Sequence, residues 1–261
     1  MAVEMRKLYE ACPLCDSKVF EFRGEGDCTL HPLYAPTLPP RMRWMQCQRC
    51  AHWFTDGYWG EEAEGIIFSR ANENQTVGHD IEQQRWVSAR MIEKVLPLKS
   101  SGSWLDIGFG NASLLFTARE YGFRPVGIEM RLPNVDAARK WGIEAHRGDI
   151  AQFDPVDRYD VISMNDVLEH MPYPTGAMKA AHRLLEKDGI LFTSMPNIES
   201  DVWRAMDSSA TNPYWGELEH YHNFGRTRLY ALLAQYGFQP VRFGISERYR
   251  AGMEIVARKK D

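Results

Sequence analysis

Four cysteines in two pairs are the first residues in this sequence whose type and spacing point to chemistry. Cys12 and Cys15 form C-P-L-C, and Cys47 and Cys50 form C-Q-R-C. Two intervening residues let both thiolates of a pair face one metal, and two pairs complete a tetrahedron. The four are therefore read as ligands of a structural Zn2+. Four thiolates leave the ion no open position, which assigns it to folding rather than to catalysis. The 31 residues between the pairs exceed the usual gap of about 15–20 and include Pro32, Pro36, Pro39 and Pro40, so they read as an extended loop. Cys28 is left over with His31 near it; either is a substitute ligand, although the paired cysteines need neither.

Histidines form a second group. Imidazole is suited to general-base work near neutral pH. His170 stands in L-E-H, and His220 and His222 stand in E-H-Y-H, which places the latter two on one side if the backbone is extended. These three are the candidates for a base or an acceptor-binding group. As a metal site, the E-H-Y-H run lacks a third histidine in a helical motif. His146 and His182 read as packing or surface groups.

The third group is a glycine turn. L-D-I-G-F-G-N-A-S contains Asp106, Gly108, Gly110 and Ser113. Two glycines permit a tight turn and close backbone approach to a ligand, while Ser113 stands where a dinucleotide fingerprint has its third glycine. Glu129 follows Gly110 by 19 residues, the place of an acid that accepts from ribose hydroxyls. Asp106, just before the glycines, disfavours a pyrophosphate and suits a ligand with an ammonium and a sulfonium, which is S-adenosylmethionine.

The elements that must position these residues alternate in type. Strands are expected at 103–107, 125–129, 143–147, 159–164 and 190–195. Helices are expected at 80–96, 111–121, 134–141, 176–187 and 227–236. A final strand pair is expected at 239–245 and 252–258, joined by a short polar turn. Alternation of this kind predicts a doubly wound, mostly parallel seven-stranded α/β sheet of Rossmann type with an antiparallel edge, preceded by a small zinc-ribbon-like module. The division reads as a zinc module at 1–56, a linker and lead helix at 57–99, and a ligand-binding domain at 100–261. Residues 56–80 lack a clear period and read as a loop or mobile cover. Residues 196–225 read as a lid inserted at the carboxyl edge of the sheet, where long loops carry function. The rings of Trp44, Trp53, Phe54, Tyr58 and Trp59 read as packing more than as cleft lining.

As a set, LDIGFGNASLL, GIE at 127–129, GDI at 148–150, YDVISMNDVLEHMPYP at 159–174 and LLEKDGILFTSMPN at 184–197 resemble the class I S-adenosylmethionine-dependent methyltransferases over about residues 100–260. The resemblance implies that the turn of Asp106, Gly108 and Gly110 faces the methionine end of the cofactor. It implies that Glu129 holds the ribose, with Met130 against the adenine. Asp149 then accepts from the adenine amino group, Ile150 packs on the ring, Asn165 lies by the methionine moiety, and Glu169-His170 comes near the cofactor. The cysteine module ahead of such a domain is similar to that of sugar and polysaccharide methyltransferases, some of which carry a further C-terminal domain; this chain ends at Asp261.

Composition narrows the acceptor. The 261 residues carry 31 Lys and Arg against 35 Asp and Glu, with a pI of about 6.1. A nucleic-acid domain usually has a pI above about 9. No apolar run reaches the ~18 residues of a membrane span, and the start lacks an apolar signal segment, so a cytoplasmic protein is expected. The expected activity is methyl transfer to a small molecule or saccharide, on oxygen. The competing readings are an RNA or protein methyltransferase that uses the module and Arg41, Arg43 and Arg49 to hold a macromolecule, a non-catalytic cofactor-binding scaffold, and a nicotinamide oxidoreductase.

Overall fold

The computed structural model describes residues 5–69 and 73–260. The chain opens with β1 (Arg6–Leu8), β2 (Phe20–Asp27), β3 (Arg41–Cys47), β4 (Trp53–Thr55), β5 (Gly57–Trp59) and α1 (Glu61–Ser69). It continues through α2 (Ile81–Val95), β6 (Gly102–Ile107), α3 (Ser113–Glu120), β7 (Phe123–Glu129), α4 (Leu132–Lys140), β8 (Glu144–Arg147), β9 (Tyr159–Asn165), α5 (Pro174–Leu184) and β10 (Leu185–Pro196). After α6 (Asp201–Ser208) and β11 (His222–Asn223) it ends with α7 (Arg226–Gln235), β12 (Phe238–Ile245) and β13 (Gly252–Lys259).

Two compact units result. The first gathers Met1–Asn72, Leu168–Thr175 and Pro196–Leu229; the second gathers Glu73–Val167, Gly176–Met195 and Tyr230–Asp261. The linear division at 56 and 99 runs differently, because three stretches far apart in sequence build the first unit.

The second unit holds a seven-stranded sheet in the order β12-β13-β10-β9-β6-β7-β8. The five strands from β10 to β8 are parallel, and β12 pairs with β13 antiparallel. This is the Rossmann-like α/β fold expected. Its central strands are near-continuous apolar runs because both faces are covered. Met91, Ile92 and Val95 of α2 and Leu114 and Ala118 of α3 pack with Trp104, Val161, Ile190 and Phe192 in one core. Phe109, Leu115, Val135, Ala138, Ile143 and Ala145 form another. Strand order reverses around β6, which has β7 on one side and β9 on the other, so the ligand edge of such a sheet lies at the ends of these three strands.

The first unit has a four-stranded antiparallel sheet, β11-β4-β3-β2, and the two-stranded pair β1-β5. Much of the stretch read as an extended loop between the cysteine pairs is instead the β2–β3 hairpin, and the prolines fall in the turns at 28–40. Residues 56–80, read as a loop, contain β5 and α1; three of them, 70–72, lie outside the described residues. The stretch 196–225, read as a lid, is woven into this unit: His222 and Asn223 pair with Phe54 and Trp53. Gly26 and Gly216 let its backbone come so close to β2 that a Cβ at either would overlap a carbonyl across the contact. Trp44, Trp59, Leu218 and Tyr221 share one core, so the aromatic run packs as expected.

Candidate cofactor edge and side-chain clusters

Asp106 lies on β6 next to its end and is buried. Its Oδ1 accepts from the Ser163 hydroxyl at 2.6 Å, and Ser163 in turn accepts from the Trp104 indole N–H at 2.8 Å. Burial pushes the Asp106 carboxyl up to about 6, although Ser163 and Arg248 pull it down. Gly108 and Gly110 follow with φ of 65° and 50°, in the left-handed region glycine tolerates. The residue between them, Phe109, lies over Gly127 of β7, where a Cβ would stand 2.5 Å from its ring. The glycine inside β7 is thus explained by the loop that rests on it, a link the sequence reading missed.

Glu129 closes β7. Its two carboxylate oxygens accept from the backbone N–H of Gly110 and of Arg131, each at 3.1 Å. One acid therefore ties together the turns after β6 and β7. The pairing of Ile107 with Met164 brings Asn165, one residue on, to the same edge. Its side chain is buried, and neither its amide nitrogen nor its carbonyl oxygen has a partner among the described residues. An orphaned amide of this kind costs roughly 1–3 kcal/mol unless a ligand or water satisfies it.

The remaining cofactor-edge candidates divide. Met130 is 55% exposed and offers a surface. Asp149 is exposed and caps a single helical turn by accepting from the Ala151 N–H at 2.8 Å. Ile150 follows it and is fully buried.

In the first unit the four paired cysteines converge. One ligand atom from each of Cys12, Cys15, Cys47 and Cys50 lies within 4.8 Å of the others. Sγ of Cys12 is 3.7 Å from that of Cys50, and Sγ of Cys15 is 3.6 Å from that of Cys47. Tetrahedral thiolates at about 2.3 Å from zinc stand about 3.8 Å apart, whereas a disulfide needs about 2.05 Å. The residue after each pair, Asp16 and Ala51, takes a φ of 57°, which turns the chain back behind the second cysteine. Cys28 lies outside the cluster, and His31 pairs with Glu217 instead.

The three candidate histidines also belong to this unit, with different surroundings. His222 is held by hydrogen bonds at both ring nitrogens. Its Nε2 faces the Met171 carbonyl at 2.8 Å and must donate there, so its Nδ1 accepts from His52 Nε2 at 3.0 Å. Both nitrogens are engaged, and burial holds its pKa near 4. His220 is also buried, which pulls its pKa down to about 3, and its Nδ1 has no partner among the described residues. His170 donates from Nδ1 to the Glu219 carbonyl at 2.9 Å, and its ring meets that of His220 edge-on at 4.7 Å. Burial would raise Glu217, but the hydrogen bond from His31 and the fields of His220, His31 and His170 hold it near 2. His146 pairs with Glu144 and His182 faces the Lys260 carbonyl, as befits surface groups.

A family model described as a methyltransferase domain matches residues 81–242, well over half of the chain. The chain belongs to the methyltransferase-domain family. The chain is similar to the ubiquinone biosynthesis O-methyltransferase of Actinobacillus pleuropneumoniae serotype 7 (strain AP76), at 30% identity over 105 residues, covering 36% of this chain and 45% of that one. The chain thus spans less than half the length of this curated relative. Among solved structures, the fold is similar to the 1,6-didemethyltoxoflavin-N1-methyltransferase of Burkholderia thailandensis, solved with 1,6-didemethyltoxoflavin and S-adenosylhomocysteine. That match has a TM-score of 0.58 and 20% identity, and covers 82% of this chain and 98% of that one. It is also similar to the magnesium protoporphyrin IX methyltransferase of Synechocystis PCC 6803, with a TM-score of 0.55 at 16% identity, covering 78% and 90%. Among the described residues, no helix is long and apolar enough to cross a membrane.

Proposed function

We propose that the methyltransferase binds S-adenosylmethionine at the edge formed by β6, β7 and β9 and transfers its methyl group to a hydroxyl of a small molecule or saccharide. The observation that carries this reading is the convergence at one sheet edge of the Asp106–Gly110 turn, the Glu129 carboxylate and the orphaned amide of Asn165. The donor set suits the cofactor: a buried carboxylate for an ammonium, an acid for ribose hydroxyls, and an unsatisfied amide for the methionine moiety. S-adenosylmethionine supplies an electrophilic methyl on a sulfonium. In our assignment Asp106 binds the amino group, Gly108 and Gly110 give the methionine end close backbone approach, and Glu129 accepts from the ribose. Met130 lies against the adenine, and Asp149 accepts from its amino group.

The oxygen acceptor is favoured by the likeness to ubiquinone biosynthesis O-methyltransferases. Transfer proceeds by in-line displacement, for which alignment alone contributes several kcal/mol. On the acceptor side we assign His170 and His220, not His222, whose nitrogens are engaged. Against a macromolecular acceptor, Arg41 and Arg43 stand within ion-pair distance of Glu25, and Arg43 also of Asp56, which balances part of their charge. In the cysteine cluster we assign a structural Zn2+, whose spacing the Sγ separations match. The test is methyl transfer from labelled S-adenosylmethionine to phenolic, sugar and amine acceptors. Label in hydroxylated acceptors supports the reading; label only in amines or RNA overturns it.

A further inference from the structure

The sequence run E-H-Y-H lacked enough ligands for a metal, and the fold brings the missing ones. Leu168–Thr175 and Pro196–Leu229 are both parts of the first unit, and the Tyr221 N–H donates to the Glu169 carbonyl at 2.8 Å. This backbone bond fixes Glu169-His170 against His220. One ligand atom from each of Glu169, His170 and His220 lies within 4.8 Å of the other two. We propose that these three residues form a site for a divalent transition-metal ion, separate in position and chemistry from the four-cysteine cluster.

Three further observations support it. First, His170 spends its Nδ1–H on the Glu219 carbonyl. A carbonyl acceptor on one ring nitrogen is the usual outer partner of a metal-bound histidine, because it fixes the tautomer that leaves the other nitrogen with its lone pair. Second, His220 is 7% exposed, and its Nδ1 is buried without a partner among the described residues. Third, Glu169 is 1% exposed, and a buried carboxylate ligand offsets the charge of a divalent ion at low desolvation cost to the pair. Adjacent ligands at bonds of about 2.1 Å stand about 3 Å apart, so the observed spacing asks for a contraction within reach of side-chain rotation. Close by in sequence, Glu217 and Glu219 form another group with His31, which adds negative charge around the run.

Two imidazoles and one carboxylate select Zn2+, Mn2+ or Fe2+ over Ca2+ or Mg2+, and leave coordination positions open for water or an oxygen ligand. An acceptor hydroxyl bound there would be acidified without a protein base. That use rests on the methyl-transfer reading above; the ion site itself does not.

The experiment uses the zinc-replete chain. Mn2+ binding is followed by the loss of its free-ion paramagnetic resonance signal, and a second equivalent of Zn2+ by competition with a chromophoric chelator. S-adenosylhomocysteine binding is measured in parallel. Mn2+ is the discriminating probe because it avoids thiolates. One Mn2+ per chain is expected beyond the cysteine-bound zinc, weakened at least about tenfold in each of Glu169→Gln, His170→Asn and His220→Ala while the cysteine-bound zinc is retained. Neither Mn2+ nor a second Zn2+ bound at millimolar concentration overturns the site, as does binding that all three replacements leave unchanged. If a replacement releases the cysteine-bound zinc, the first unit has unfolded and the wild-type count decides alone. Mn2+ binding without S-adenosylhomocysteine binding would overturn the methyl-transfer reading and leave the ion site standing.

Discussion

The two units place chemistry by opposite strategies. In the second, each ligand-edge residue stands at or next to the end of a strand, and the parallel register carries Asp106, Glu129 and Asn165 to one edge, with Asp106 on the strand between the other two. In the first, no single element holds a site. Two cysteine pairs flank a hairpin, and Glu169-His170 meets His220 from a stretch some 50 residues later, fixed by one backbone bond. A periodic sheet tolerates loss of one side chain because the register survives. A unit knitted from separate stretches depends on its cross-links, so the same kind of substitution has different consequences in each.

The largest expected effect breaks the comparison if it fails. Structural zinc supplies on the order of 10 kcal/mol of folding energy in small modules. Chelation, or Cys47→Ser, should expose the amides of β2, β3, β4 and β11 to hydrogen exchange and leave those of β6, β9 and β10 protected. Equal loss in both sets would mean that the units are not separable. Next in size is His222→Ala, which orphans the part-buried Met171 carbonyl and the buried His52 ring. We expect a loss of about 2 kcal/mol or more in denaturant unfolding, with S-adenosylhomocysteine affinity unchanged. A fall in that affinity would reopen His222 as a site residue.

Acidity sharpens the contrast. Asp106 must be ionised to hold an ammonium, and burial sets its pKa near 6. Affinity for S-adenosylhomocysteine should be flat above pH 6 and fall up to about tenfold per unit below it. Ser163→Ala removes a hydrogen bond that favours the charged form, so the onset should move to higher pH. The first unit responds to acid through its histidines. The folded pKa of His222, near 4, and of His220, near 3, lie below the unfolded value of 6.5. Their contribution to stability is full above 6.5 and is lost as pH falls toward those values, by up to about 1.4 kcal/mol per unit for each ring. Acid should therefore open the first unit, an effect separable by hydrogen exchange from the loss of cofactor affinity. The smallest effect is expected for Asp149→Ala, an exposed cap whose loss should cost less than about 1 kcal/mol in either stability or affinity.

The sheet was legible in the sequence because its signals are local. Apolar runs such as YDVISM and ILFTSM, each followed by turn residues, mark parallel strands, and glycines with acids at their ends mark the ligand edge. The burial of Ile150 was not legible, because sequence cannot say which way a residue after a short strand turns. The cysteine pairs were legible for the same local reason, since both ligands of each knuckle lie within four residues. The weave of 196–225 into the first unit was not, because β11 is two residues long and its partner β4 lies about 170 positions earlier. Nor did sequence separate His220 from His222. Alternation suggested a shared side, whereas hydrogen bonds to His52 and Met171 occupy one ring, and Nδ1 of the other has no partner among the described residues.

The central claim, a cofactor edge built from strand ends, is tested most directly by calorimetric titration of the zinc-replete chain and of Glu129→Ala with S-adenosylhomocysteine, with NAD as the comparison ligand. The expected result is micromolar binding of S-adenosylhomocysteine alone, weakened about 10–100-fold by the substitution, the loss of charge-assisted hydrogen bonds worth roughly 1.5–3 kcal/mol. Absence of binding, or binding that Glu129→Ala leaves unchanged, would contradict it.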